Sequence, residues 1–465
     1  MSRTIKLGGR RTPQPKLTEW HWKAIRKQIG GDTGGAMQMW AKLLERDPHD
    51  AKALYFMALA YYSIRELEKA IAYMRACLHE APDHSDAWFN LGKFLQDAGR
   101  PKEALEHYIA ALEHEPTKVE ALTNAGNLFM AFGDEESALG CFHMALAQDS
   151  SRPEASYNRS FIKLLYGDLA DGFREYEERW RCKAFIVDYE RPFMRSIRRA
   201  TLADIEEPPT WRVMLHAEQG AGDAMMMLRY IRRFREKALV LEVHKPLVTL
   251  FAKLFPDAEV IERGTPIPRD VLAQCPMMSL PLLFGTTLET IPDVHLAYTP
   301  AAARPCDCGM LHVGLCWAGS SIHPNDKDRS APVHAFAPLL AVPGIHWTSL
   351  QVGEREEEYP GMTRPLLFSY LESARAVKGM DLVITVDTSI AHLAGVLEVP
   401  VWICVPSLPE WRWLLGRGDS PWYPSARLWR RGNGGAWDTI LPALDHALRE
   451  RVTTASLHAS LEARP

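Results

Sequence analysis

The sequence predicts a helical repeat array followed by a two-part α/β region built on parallel sheets. Three observations carry this prediction. Through the first third, Pro48, Pro82 and Pro116 stand 34 residues apart, as do Ala36, Ala70, Ala104 and Ala138. Beyond Trp211, short β-branched apolar runs alternate with helical stretches, the order expected of a parallel sheet. Near the end, the run Asp381 to Val386 meets a polar turn, Asp387-Thr388-Ser389, before a helix over Ile390–Leu397 and a strand over Val399–Val405.

Composition bounds the function. The 465 residues exceed one ordinary core, so about two to four domains are expected. With 47% hydrophobic and 24% charged residues, the profile is that of a soluble globular protein. A formal net charge of −4 gives no general attraction for nucleic acid or an anionic membrane, and no apolar run spans a bilayer. A cytoplasmic location is expected. Residues 1–16 are basic and polar without an apolar centre, so they predict a disordered tail rather than a secretory signal. The cysteines are scattered among apolar positions, as reduced thiols would be. Cys306-Asp307-Cys308 and Cys316 lack a second spaced pair, so no metal is expected.

The array is expected over residues 17–180. Its fullest unit, Ser85 to Lys118, carries Trp88, Leu91, Gly92, Leu95, Ala104, Tyr108, Ala111 and Pro116. Small residues let two helices of a hairpin approach, and the proline ends the second. The preceding unit is marked by Leu54, Tyr61, Ala70 and Pro82, and the following one by Leu122, Gly126, Phe129, Ala138, Phe142 and Ala145. Leu17 to Asp50 is a weaker first unit, and Pro153 to Arg179 a degenerate last one serving as a cap. These residues resemble the tetratricopeptide repeat, which implies a concave groove that binds a peptide or protein segment. A purely scaffolding array fits the same residues.

Residues 181–210 read as a connecting segment. A first α/β half, 211–305, opens with a strand over Arg212–Ala217 and the loop Glu218-Gln219-Gly220-Ala221-Gly222-Asp223. A helix over Ala224–Phe234, strands at Leu239–Val243 and Glu259–Ile261, and a helix at Leu247–Leu254 follow. Gly220 and Gly222 begin a dinucleotide fingerprint, but Met225 stands where the third glycine belongs, so nicotinamide binding is not predicted. The two glycines still permit a ligand close to the backbone. Asp223 either complements the helix dipole or serves as a base, and Met225 to Met227 are core.

A second half, 306–450, has strands at His312–Ala318, Ile345–Leu350 and Asp381–Val386, helices at Val333–Leu340 and Leu366–Val377, and a short tail from 451. Gly319-Ser320-Ser321 leads into the polar loop Ile322 to Ser330. Two halves with polar strand-to-helix turns place a ligand between them.

With Gly220-x-Gly222-Asp223, Gly314 to Gly319, Asn325-Asp326-Lys327-x-Arg329-Ser330, Asp387 to His392 and Pro409 to Pro424 in view, the region from Trp211 to Leu448 resembles bacterial heptosyltransferase-like glycosyltransferases. The whole chain looks like repeat proteins carrying such a domain. The resemblance implies a two-Rossmann-domain (GT-B type) fold and inverting transfer from a nucleotide sugar without a metal ion or other cofactor. The first half would then be the acceptor side and the second the donor side. Asp223 matches the base that takes the acceptor proton, and Lys327 matches the essential lysine. Lys327 and Arg329 would stabilise the leaving diphosphate. Ser320, Asn325, Thr388 and Ser389 would hold the donor, with Asp387 and His392 orienting that loop and Gln351 and Glu354 meeting a ribose or base. Each has a plainer use, as surface lysine, helix cap or core histidine. The expected acceptor is a polypeptide, flagellin being one example. Two other readings stay open: a repeat scaffold that has lost turnover, or a lipopolysaccharide or polysaccharide glycosyltransferase.

Overall fold

The structure, a computed structural model, describes residues 18–183, 185–186, 196–206, 211–234, 236–294, 296, 298–304, 310–323, 325–353, 359–432 and 437–462. It forms two compact units, one ending at Ala155 and the other beginning at Ser156.

The first unit is a run of helical hairpins: α1 (Glu19–Ile29) with α2 (Thr33–Arg46), α3 (Ala51–Ser63) with α4 (Leu67–Glu80), α5 (Ser85–Asp97) with α6 (Pro101–His114), and α7 (Val119–Ala131) with α8 (Glu135–Gln148). Pro48, Pro82 and Pro116 each follow the C-cap of the second helix, where a missing N–H costs no helical bond. Ala36, Ala70, Ala104 and Ala138 are fully buried. The repeat glycines have a steric reason. A Cβ on Gly92 would lie 2.8 Å from the Tyr108 ring of its own hairpin, and one on Gly126 would lie 2.6 Å from Phe142 of its own. The turn inside each hairpin needs a left-handed residue, met by Gly31, Gly99 and Gly133 but by Arg65, at φ 64°, in the second.

The degenerate last repeat forms its two helices but packs with the α/β region. The second unit begins within α9 (Pro153–Leu165) and includes α10 (Leu169–Tyr176). Phe173 and Tyr176 share a core with Met225 to Met227, and Phe173 meets Trp411 edge-on at 5.5 Å. Arg179 is completely buried, donating to Glu218 at 3.0 Å and to the Ser279 hydroxyl at 2.8 Å. Burial opposes its charge, but the Glu177 and Glu218 carboxylates hold it protonated, while burial pushes Glu218 up to about 7. An aromatic stripe and a buried cation thus fasten this hairpin to the α/β body instead of leaving it a solvent-facing cap.

Two five-stranded parallel sheets follow, consistent with two Rossmann-like halves of the GT-B type. The first has the order β1 (Arg198–Arg199), β5 (Val271–Pro276), β2 (Arg212–His216), β3 (Leu239–Val243), β4 (Glu259–Glu262). The second has the order β10 (Ala426–Arg430), β9 (Val401–Val405), β8 (Leu382–Val386), β6 (Leu311–Cys316), β7 (Ile345–Ser349). The strand expected at β3 forms with the expected bounds, and those around β2, β4 and β6 to β9 form with shifted ends. Three were not expected. β1 comes from the stretch assigned as a connector and pairs with β5. β5 hides its character behind Gln274 and Pro276, Gln274 being buried against His216 at 2.9 Å. β10 carries Arg427 and Arg430 among its apolar residues and pairs with β9 at the edge of the sheet. Instead of a tail from 451, a single helix spans Leu441–Glu462 and packs Leu444 and Leu448 on the far face of the second sheet.

In each sheet the strand order reverses beside the first central strand: β3 and β5 flank β2, and β7 and β8 flank β6. Crevices at the carboxyl ends of strands at such reversals are where open parallel sheets hold ligands.

Candidate functional site

The loops leaving β2, β6 and β8 line one cavity of about 1060 Å³ between the two halves of the second unit. Its size suits a nucleotide-sized ligand.

Asp223 lies in the helix Ala221–Met226, just beyond β2. Its Oδ2 accepts the Gly220 N–H at 2.9 Å, and its Oδ1 is ion-paired with Arg412 from the second half. Gly222 serves a contact between helices, since a Cβ there would lie 2.6 Å from the His392 ring. The helix carrying His392, Ser389–Val396, is therefore packed directly on the glycine loop. His392 accepts from or donates to the Tyr423 hydroxyl at 2.8 Å and stacks on Trp413 at 5.3 Å. Burial, with Arg412 adding to it, drives its pKa down to about 3, so the ring is neutral.

The turn after β8 supplies Asp387, Thr388 and Ser389. Thr388 is the cap, its hydroxyl accepting the Ile390 N–H at 3.3 Å, and Ser389 accepts the Tyr370 hydroxyl at 2.7 Å. Asp387 is buried, and its Oδ2 has no hydrogen-bond partner among the described residues. Burial raises its pKa to about 6 and Glu410 adds to the rise, while Trp413, Arg412 and Arg329 oppose it. A buried carboxylate with an open oxygen at a cavity wall is an acceptor for a ligand hydroxyl or amide.

From the β6 side, Ser320 and Arg329 line the cavity. Arg329 lies over Gly319, where a Cβ would meet its guanidinium at 2.5 Å, and donates to the Ser320 carbonyl at 3.3 Å. Gln351 reaches the lining, but its carbonyl already accepts the Trp317 and Ala318 N–H groups at 3.2 and 3.0 Å. It stitches the end of β6 to the loop after β7, leaving less of it for a ribose or base. Lys327 is exposed and, with Asn325, stands outside the cavity lining; Asn325 donates to the Leu408 carbonyl at 3.5 Å. Glu354 falls outside the described residues, as do Cys306 and Cys308.

Sequence reasoning overlooked two groups. Arg412, beside Glu410 at 3.3 Å, is the cation that meets Asp223. Its signal was visible: an arginine between Trp411 and Trp413 is a buried charge in need of a partner. Tyr157, Phe161 and Tyr176 add an aromatic wall from α9 and α10. Elsewhere along the same seam, Arg229 of the first half donates to the Trp422 carbonyl at 2.7 Å and lies over its ring. Among the described residues no group of three or more His, Cys, Asp or Glu could hold a metal ion, and no helix is long and apolar enough to cross a membrane.

Comparison with known proteins bears chiefly on the first unit. A tetratricopeptide-repeat profile matches residues 89–153, and the profile of anaphase-promoting complex, cyclosome, subunit 3 matches residues 31–111. The N-terminal region is a tetratricopeptide-repeat array. Over 279 residues the chain is 26% identical to Protein FlbA of Caulobacter vibrioides, a stretch covering 51% of this chain and 46% of FlbA. FlbA is thus a distant homologue, and the match takes in less than half of it. Among solved structures, YrrB, described as a TPR protein with an unusual peptide-binding site, is 21% identical with a TM-score of 0.32, covering 36% of this chain and 85% of YrrB. The type IV pilus biogenesis factor PilW is 25% identical with a TM-score of 0.32, covering 35% of this chain and 75% of PilW.

Proposed function

We propose that the second unit transfers a sugar from a nucleotide-sugar donor to a hydroxyl of a polypeptide that the repeats recruit, with inversion and without a metal ion. One observation carries this reading: both strand-order reversals open on a single cavity that has a carboxylate, Asp223, on its first-half wall and a guanidinium, Arg329, on its second. Inverting transfer needs those two charges, a base for the acceptor proton and a cation for the departing diphosphate. Asp387 and the start of the helix Ser389–Val396 complete a polar wall suited to a phosphorylated sugar. In this reading Arg329 serves the leaving group, and Lys327, exposed beyond the lining, has no step.

The test is transfer from a panel of nucleotide sugars to candidate polypeptides with EDTA present. Asp223→Ala and Arg329→Ala should each lower kcat by about 100-fold or more, while Lys327→Ala stays near wild type. A folded Asp223→Ala protein with wild-type turnover would remove Asp223 as the base. Deleting residues 17–149 should leave donor binding intact and abolish modification of the polypeptide. Equal modification by the shortened protein would overturn recruitment by the repeats.

A further inference from the structure

The proposed base is not free to act as the cleft stands. Both Asp223 oxygens already carry a donor, Gly220 N–H on one and the Arg412 guanidinium on the other. Taking the proton of an acceptor hydroxyl would cost Asp223 its ion pair with Arg412, so the carboxylate acts as a base more readily once one of those donors has left. The Gly220 contact is part of the local turn, so the movable partner is Arg412, which arrives from the other half of the unit.

Arg412 is poorly satisfied where it sits. Its guanidinium is held by Asp223 on Nη2 and Glu410 on Nη1, lies over the Trp411 ring at 4.6 Å, and keeps a buried Nε without a hydrogen-bond partner among the described residues. It lines the same cavity as Arg329, and both guanidinia act on the buried Asp387 carboxyl. Among the described lining residues three carboxylates, Asp223, Asp387 and Glu410, face two guanidinia, Arg329 and Arg412. A diphosphate entering this cavity adds further negative charge. Arg329 alone cannot offset it while Arg412 is committed to two carboxylates. A guanidinium fork can bind one phosphate through two parallel N–H bonds, whereas here Arg412 divides its donors between two carboxylates.

Resting on the glycosyl-transfer reading, we infer that Arg412 is a second ligand of the donor's diphosphate and that Asp223 and the diphosphate compete for it. Without donor, Arg412 holds the base. With donor, the guanidinium turns to the diphosphate and leaves Asp223 open to the acceptor hydroxyl. The transfer then balances: the hydroxyl oxygen bonds to the anomeric carbon, its proton goes to Asp223, and the electrons of the breaking sugar–oxygen bond settle on a diphosphate that Arg412 and Arg329 neutralise. Donor binding arms the base, so donor precedes acceptor, and the base is shielded when no sugar is there to accept the hydroxyl.

Competition fixes the sign of a measurement that a merely structural ion pair would not. The experiment is metal-free calorimetry of the full chain with the diphosphates of uridine, adenosine, guanosine, cytidine and thymidine, and with inorganic pyrophosphate. Asp223→Asn, nearly isosteric, releases Arg412 and should tighten the preferred diphosphate and pyrophosphate about fivefold or more. Arg412→Gln should weaken both tenfold or more, and adding Asp223→Asn to Arg412→Gln should change nothing further. Unchanged or weaker binding by Asp223→Asn, or an Arg412→Gln affinity within twofold of wild type, overturns competition while leaving the donor cleft in place. Absence of binding by the wild-type chain to every diphosphate overturns the cleft assignment itself.

Discussion

The two units hold themselves together in opposite ways. The array repeats one local solution: an alanine, a glycine and an aromatic ring, each meeting its partner in the same or the adjoining hairpin, as Gly92 meets Tyr108. Its ion pairs are mostly surface contacts such as Lys23–Glu19 and Lys27–Asp32, which solvent screens. The α/β body instead buries single, non-repeating polar contacts between residues far apart in sequence, Arg179 on Glu218, Arg229 on Trp422 and Arg412 on Asp223. A repeat array tolerates local loss because each hairpin has neighbours of the same kind. The body has no substitute for a lost contact.

That contrast breaks most sharply at Arg179. Arg179→Ala leaves Glu218 and Glu177 facing a buried void, and should destabilise the body by about 3–5 kcal/mol with no change in the array. Two unfolding transitions followed in urea would show it, and a loss below about 1 kcal/mol would mean the pair is no stronger than a surface one.

Asp387→Asn should move the same transition the other way. Unfolded, Asp387 titrates near its usual value, but folded it is held up to about 6, so the folded chain keeps its proton longer. From about pH 4 to 6 the unfolded state alone ionises, and the wild type loses stability relative to the variant. Above pH 6 the difference levels off at about 1–3 kcal/mol in favour of the variant. His392, held neutral with a pKa near 3, works oppositely in wild type and variant alike and cancels in the difference. A variant with the wild-type pH profile would contradict the burial of that carboxyl, and loss of transfer in a more stable protein would mark the site as functional.

Two smaller changes test the array alone. Gly92→Ala gains helix propensity but drives a methyl into Tyr108, so the array should lose about 1–2 kcal/mol net. Arg65→Gly relieves a left-handed arginine and should stabilise it by about 0.5–1 kcal/mol. Urea midpoints suffice for both, and any shift of the body's transition with either change would show that the two units do not unfold independently.

The same contrast explains what the sequence let one read. The hairpins were legible because the 34-residue spacing of alanines and prolines reports contacts between neighbours. The central strands were legible as β-branched runs, and the turn at Asp387 as a polar interruption. β5 was not, because its buried polar Gln274 finds its partner 58 residues away in His216. The last hairpin kept the repeat's residue classes while Phe173 and Arg179 were committed to the body, and nothing local distinguishes an aromatic facing another repeat from one facing a sheet. At the site, the cavity-lining residues around Gly220, Asp223 and Asp387 could be picked out singly. The Arg412–Asp223 pairing joins residues 189 positions apart and becomes visible only in the fold.

The fastening of α9 and α10 to the α/β body bears on how such a protein can be reassembled. The border between the two units falls in the first turn of α9, between Ala155 and Ser156, ahead of the rings that wall the cavity. Under the proposed function, exchanging arrays at that border would change which polypeptide is brought in while the cavity keeps its aromatic wall. A cut one hairpin later would leave Glu218 without its cation and strip the chamber of Tyr157, Phe161 and Tyr176. The border between the two units therefore lies one hairpin short of where the repeat pattern ends.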